Sequence, residues 1–310
     1  LNRGSRGIRS AVVRLPEWIR TKAPPGVTHA TRRLLRTYGL STVCEEARCP
    51  NIAICFSKPT ATFLILGTRC TRNCGFCSVE SSMPVPPDPS EPERTALASQ
   101  SLGLRYVVIT SVTRDDLPDG GSRHFAQTVR AIRNHIPDAG IEVLVPDFKG
   151  DAAALKVVLD SSPDVFNHNV ETVPRLYTRV RPQADYQSSL DVLKRAKQIV
   201  PQIPTKSGLM VGLGETYEEV MEVIKDIRSA GCDFLTIGQY LRPTRRNLPV
   251  VEYVPPGIFE RFRDASLLMG FRAVISSPLA RSSMNAEEMA WDRREDYQKG
   301  LKSGIVEGIK

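Results

Sequence analysis

From residue 61 to residue 239 the chain repeats one unit: a short apolar, β-branched run, a polar residue or two, then a helix-length stretch. The runs cover 61–67, 106–111, 141–146, 165–170, 206–212 and 234–239, and the helical stretches include 94–102, 122–136, 151–160, 187–199 and 216–230. Strand–helix alternation at these lengths predicts an α/β fold with a parallel sheet. Six units are too few for the regular eight-stranded barrel. The prediction is therefore a partial (β/α)6 barrel over 57–270, with an N-terminal extension over 1–56 and a C-terminal extension over 271–310. A last apolar run, Phe271 to Ser276, leads into that tail. With 310 residues, 41% of them hydrophobic, the chain can bury a core of this size.

The ends of the runs are polar: Thr110-Ser111, Asn167-His168-Asn169, Gly212-Leu213-Gly214-Glu215 and Gly238-Gln239-Tyr240. Polar groups are costly inside a sheet. At the carboxyl edge of a parallel sheet they face the place where ligands bind.

Charge and hydropathy exclude several classes. The net charge of +8 is spread along the chain, without an RNA-binding motif or interleaved aromatic and basic residues, so no nucleic-acid partner is expected. No apolar run approaches the roughly 20 residues of a membrane helix, so no membrane association is expected. With no continuous apolar segment among the first residues, no secretory signal is expected. A cytoplasmic location is expected, or an organelle matrix if the basic arm Arg3, Arg6, Arg9 and Arg14 is the remnant of a transit peptide. In that setting clustered cysteines point to metal rather than disulfides.

Six of the seven cysteines form two triplets about fifteen residues apart. Cys70, Cys74 and Cys77 follow the first run with spacing Cys-x3-Cys-x2-Cys and an aromatic, Phe76, before the third. Three thiolates from one loop can hold three irons of a cluster and leave the fourth open. A structural zinc site is the competing reading, but it takes four ligands, and no nearby His or fourth Cys supplies one. The segment resembles the radical S-adenosylmethionine superfamily, which carries this signature after its first barrel strand. The resemblance implies a 4Fe–4S cluster whose open iron binds S-adenosylmethionine and whose electron releases a 5′-deoxyadenosyl radical. By the same resemblance Asp115 and Asp116 follow the strand after which the superfamily contacts the methionine amine; from their strand-end position Asn169 and Glu171 are expected to meet the ribose or methionine part, and from its bidentate geometry Arg181 the methionine carboxylate. Gly212 and Gly214 are expected to approach the adenosyl group closely. Strand-end hydrogen bonding is the competing role for Asn169 and Glu171, and a turn or helix cap for the two aspartates. His168 reads as a structural hydrogen-bonder and Cys232 as a core thiol.

Cys44, Cys49 and Cys55, spaced Cys-x4-Cys-x5-Cys, resemble the auxiliary-cluster motif of the lipoyl synthase family. So do Thr110 to Gly121, Asn167 to Pro174, Gly212 to Thr216, Gly238 to Thr244 and Arg281-Ser282-Ser283. The resemblance covers roughly 16–290 and implies a second 4Fe–4S cluster, with Ser283 as its fourth ligand. Met284 stands where the family has tyrosine, and a thioether cannot repeat a phenolic hydroxyl's hydrogen bond. The implied reaction inserts two sulfur atoms, at the sixth and eighth carbons of an octanoyl-lysine. It uses two S-adenosylmethionine, and the auxiliary cluster gives up the sulfur. Implied partners are an octanoylated lipoyl carrier domain (a 2-oxoacid dehydrogenase subunit or the glycine cleavage carrier protein), an electron donor, and an iron–sulfur carrier that rebuilds the cluster. Arg242, Arg245 and Arg246 are a candidate contact for an acidic carrier, or an ordinary solvated face. Other readings are a different sulfur-inserting radical enzyme, such as one like biotin synthase or an RNA methylthiolase, and an iron–sulfur electron carrier. Biotin synthase lacks the first triplet, the methylthiolase would bring an added RNA-binding domain, and the carrier would need closed four-thiolate clusters.

Overall fold

The computed structural model describes residues 15–20, 29–57 and 62–291. The basic arm with Arg3, Arg6, Arg9 and Arg14 lies outside the described residues. After a single 3-10 turn, Glu17–Ile19, the order is α1 (His29–Thr37), β1 (Ser41–Thr42), α2 (Val43–Glu46), α3 (Ile52–Ser57) and β2 (Thr62–Ile65). Two short strands follow, β3 (Arg69–Cys70) and β4 (Glu80–Ser81), then α4 (Glu91–Ser101), β5 (Tyr106–Ser111), α5 (Ser122–His135) and β6 (Gly140–Leu144). Next come α6 (Ala152–Leu159), β7 (Val165–Asn167), α7 (Tyr177–Val180), α8 (Tyr186–Ile199) and β8 (Thr205–Val211). The chain continues with α9 (Tyr217–Ser229), β9 (Phe234–Gln239), α10 (Pro256–Leu268), β10 (Ala273–Ser277) and α11 (Ala286–Trp291).

The main sheet runs β1-β2-β5-β6-β7-β8-β9-β10. Only the β1–β2 pair is antiparallel; every later pair is parallel. The order is linear, with β1 and β10 at its two ends, so the barrel is open. Six βα units are present as expected, and the run after Phe271 adds a seventh parallel strand, β10.

Local chemistry sets the element ends. Leu66 (φ 67) and Gly67 (φ 87) are left-handed and turn the chain out of β2 into the second cysteine loop. Asp151 caps α6, Asp185 caps α8, and Thr216 with Glu219 makes a capping box on α9. The inner face of α9, Val220, Val223, Ile224 and Ile227, is buried. Each such side chain contributes about 1.5–3 kcal/mol. Two apolar cores result, one under β2, β5 and β6 and one under β8 and β9. Both leave the carboxyl edge free for polar groups. Among the described residues no helix is long and apolar enough to cross a membrane.

Candidate active site

A cavity of about 900 Å³ opens at the carboxyl edge of the sheet. Cys44 and Cys49 of the first triplet, Cys77 of the second, and Ser282 and Ser283 of the tail all line it. The fold therefore brings together segments more than 200 residues apart, Asn51 and Leu279 being separated by 228 positions.

The second triplet sits on a tightly fastened loop. Thr71 N donates to Thr113 O (3.1 Å), Gly75 N to Val180 O (2.9 Å) and Asn247 Nδ2 to Cys77 O (2.7 Å). A side chain at Gly75 would press on Leu248 at 2.9 Å and on the Arg179 carbonyl at 3.0 Å. Inside the loop Arg72 is almost fully buried and forks between two carboxylates, with bonds of 2.7 and 3.0 Å to Asp115 and of 2.6 and 2.7 Å to Asp147. Burial alone would raise the Asp147 carboxyl, but the Arg72 hydrogen bonds and charge hold it down at about 2. Cys70 Sγ accepts from Arg72 N (3.4 Å) and Thr113 N (3.3 Å).

Two cysteines of the first triplet are carried by short helices, and Cys49 lies in the link between them. Cys44 lies on α2, which Thr42 caps, and Cys55 on α3. Ser78 Oγ donates to Glu46 O (2.5 Å), joining the two cysteine segments directly. Within each triplet the thiols feel one another. Burial pushes Cys44 up to about 11, and Cys49 and Cys55 add to the rise. Burial also raises Cys74 to about 11 and Cys77 to about 12, with their own triplet partners contributing. A buried thiol is neutral unless a cation takes the place of its proton. Among the described residues, no three His, Cys, Asp or Glu side chains are gathered as a single metal ion would need. Cys232 is a fully buried core thiol, as expected.

The other expected site residues divide. Asn169 and Glu171 line the cavity. Glu171 holds a left-handed backbone (φ 73), unusual away from glycine, and burial raises its carboxyl against the pull of Arg181 and Asn169. Arg181 lies behind them. Its Nη1 donates to the Asn169 carbonyl (3.1 Å) and to Tyr177 Oη (3.1 Å), so it braces the end of β7. Asp115 and Asp116 are not on the cavity lining. Asp115 is bound to Arg72, and Asp116 pairs with Arg114 at 2.8 Å. At Gly212 (φ +104) the close approach is made by Gln239 Nε2 and the Glu252 carbonyl, which occupy the place of a side chain. His168 is buried with Nδ1 2.9 Å from Val145 O, a structural role.

Comparison with known proteins adds to this geometry. Residues 64–227 match the radical SAM superfamily, and residues 4–49 match the N-terminal domain of lipoyl synthase of the radical SAM family. The chain is 53% identical over 288 residues to lipoyl synthase from Alkaliphilus metalliredigens, covering 93% of this chain and 99% of that one. The chain belongs to the lipoyl synthase family. The lipoyl synthase of Caldanaerobacter subterraneus is likewise 53% identical, over 89% of this chain and 96% of its own. Among solved structures, Streptococcus suis SuiB bound to S-adenosylmethionine shares the fold alone, with a TM-score of 0.56 at 12% identity over 73% of this chain and 53% of that one. As a family member the chain is a sulfur-inserting radical S-adenosylmethionine enzyme. The superfamily implies one 4Fe–4S cluster and S-adenosylmethionine.

Side chains that no sequence motif signalled complete the site. Asn51 Nδ2 donates to Leu279 O (2.7 Å) and lies 3.6 Å from Met284 Sδ, tying the first triplet to the tail. Asn169 and Ser282, both within segments the sequence does flag, exchange hydrogen bonds of 3.0 and 3.1 Å. Asp147, Glu142 and Lys206 carry no local pattern either, because their partners come from distant strands.

Proposed function

We propose that the chain converts an octanoyl-lysine of a carrier protein into a lipoyl group, adding sulfur at the sixth and eighth carbons. The observation that carries this reading is one cavity lined by thiols of both triplets and by the Ser282–Ser283 tail. Cys70, Cys74 and Cys77 hold the cluster that serves S-adenosylmethionine. Cys44, Cys49, Cys55 and Ser283 hold a second 4Fe–4S cluster. When bound, these groups supply a carbon radical and the sulfur that traps it.

The chain's own residues do the rest. Asn169 and Glu171 present polar groups to the cosubstrate at the end of β7. Arg72, locked by Asp115 and Asp147, keeps the second loop from shifting. Val108, Leu144, Leu209 and Met210 give the cavity an apolar wall against which an acyl chain can lie. Holding that chain between two fixed centres makes capture intramolecular and keeps water away. Three cysteines per triplet, with no fourth cysteine in either segment, suit an iron–sulfur cluster better than a structural zinc ion, which takes four protein ligands. Arg242, Arg245 and Arg246, all exposed, stand beside the mouth, where an acidic carrier domain would dock.

Anaerobic reconstitution tests the proposal. About eight irons with matching sulfide per chain are expected, and about four after Cys44→Ala/Cys49→Ala substitution. An octanoyl-lysine peptide should gain two sulfur atoms while 5′-deoxyadenosine appears. Zinc in place of iron, or cleavage without sulfur gain, would contradict the proposal.

A further inference from the structure

Among the described residues the most buried ion pair joins Lys206 to Glu142, each side chain 1% exposed, with Nζ 3.1 Å from both carboxylate oxygens. Glu142 also accepts from Asn167 Nδ2 (2.8 Å) and Tyr106 Oη (3.1 Å). Such a pair is weak evidence for stability, because removing two charges from water costs about what their attraction returns. Its geometry points elsewhere. Lys206 Nζ also donates to the backbone carbonyl of Ser282, 76 positions along the chain, at 2.5 Å. The strand pair is built to admit that contact. At Gly208 a side chain would meet Asn169 Oδ1 at 2.8 Å and Ser282 Oγ at 3.0 Å, and at Gly238 it would collide with the Ala280 carbonyl. On the far side of Ser283, Met284 N donates to Arg281 O (2.9 Å) and Asn51 reaches the Met284 sulfur. Ser283 is therefore bracketed by two fastened neighbours.

We infer that Lys206 is a positioning residue: through the Ser282 carbonyl it sets where Ser283 presents its hydroxyl to the cavity. Glu142, Asn167 and Tyr106 fix the ammonium, and Asn51 holds the tail beyond Ser283, where Met284 replaces the family's tyrosine. The inference rests on the reading of Ser283 as a cluster ligand.

The test is hydrogen exchange on the full chain before cluster loading, comparing the parent with Lys206→Met/Glu142→Leu. The double substitution strands neither charge. Amides of residues 279–284 should exchange about tenfold faster or more, the scale of one lost charged hydrogen bond, while β5 to β9 keep their protection. After reconstitution the iron content should fall from about eight towards about four per chain. If the double variant does not fold, Lys206→Gln/Glu142→Gln keeps hydrogen-bonding groups without charge, and the same local acceleration is expected. Unchanged exchange in the tail, or faster exchange throughout the sheet, overturns the inference. Ser283→Ala separates it from the ligand reading. Full iron content and an unaltered spectrum in that variant would remove the ligand reading, while the tail-exchange result for Lys206 would still stand.

Discussion

Arg72 is the side chain on which the second cysteine loop turns. It sits between Cys70 and Cys74 and spends its guanidinium on Asp147, 4% exposed, and on Asp115. Arg72→Met leaves a buried carboxylate without its partner, which costs about 3–5 kcal/mol. The expected outcome is a lower denaturant midpoint of the metal-free chain. Arg72→Lys should recover only part of it, since a point charge cannot fork between two carboxylates. His168 gives a pH dependence. Burial, helped by the charge of Arg181, lowers its pKa from 6.5 to about 4, so the folded state holds the neutral ring. Unfolding lets it take a proton. Its stabilising contribution is complete above pH 6.5 and is lost as pH falls towards 4. Thermal midpoints of the metal-free chain should fall over that window, and His168→Gln should flatten the slope; an unchanged slope would remove His168 as the cause. Asn169, Glu171 and the second triplet are visible in sequence because motif and strand end coincide, and the first triplet because its cysteine spacing alone marks it. Lys206, Glu142 and Asn51 are not, because each is one polar residue whose partners lie 64, 76 or 228 positions away.

The tail is the element that closes the site. Pro278 to Ser283 follows β10 and lies across Gly208 and Gly238, with the Pro278 carbonyl taking Gln239 N at 3.2 Å. Gly238→Ala puts a methyl group against the Ala280 carbonyl, and overpacking of this kind costs about 1–3 kcal/mol. Protease sensitivity near residue 280 should rise, and the first triplet should hold less iron than the second; equal iron at both would show that the tail is dispensable to loading. The strands were legible because β-branched runs bounded by turn residues have few alternatives, and β5 and β9 end where the pattern ends. Other elements were not. α10 opens on Pro256-Gly257, a poor helical signal, and is held by Phe259 and Phe262 against β9 and β10. α2 and α3 are too short to show a period and exist because the Thr42 cap and the apolar core fix them. The Phe271 run gave no sign of joining the sheet, since a pairing partner, here β9, is a tertiary fact.

At the scale of the whole molecule, an open six-unit barrel with a cavity of about 900 Å³ at its carboxyl edge lets segments from before and after the barrel converge on the same space. Arg242, Arg245 and Arg246 are exposed beside that opening. Arg245→Glu/Arg246→Glu should weaken octanoyl-carrier binding by about tenfold at low salt, mainly through a slower on-rate, with the difference shrinking as salt is added. Calorimetry showing equal affinity would place the carrier elsewhere. The proposed function assigns the triplets a division of labour, one starting a radical and the other giving up sulfur. Reconstitution with heavy-isotope sulfide, followed by turnover in ordinary sulfide, tests this directly. Mass spectrometry of the product should find both added sulfur atoms heavy, and no sulfur added by Cys44→Ala/Cys49→Ala. A product carrying only light sulfur from the medium would contradict it.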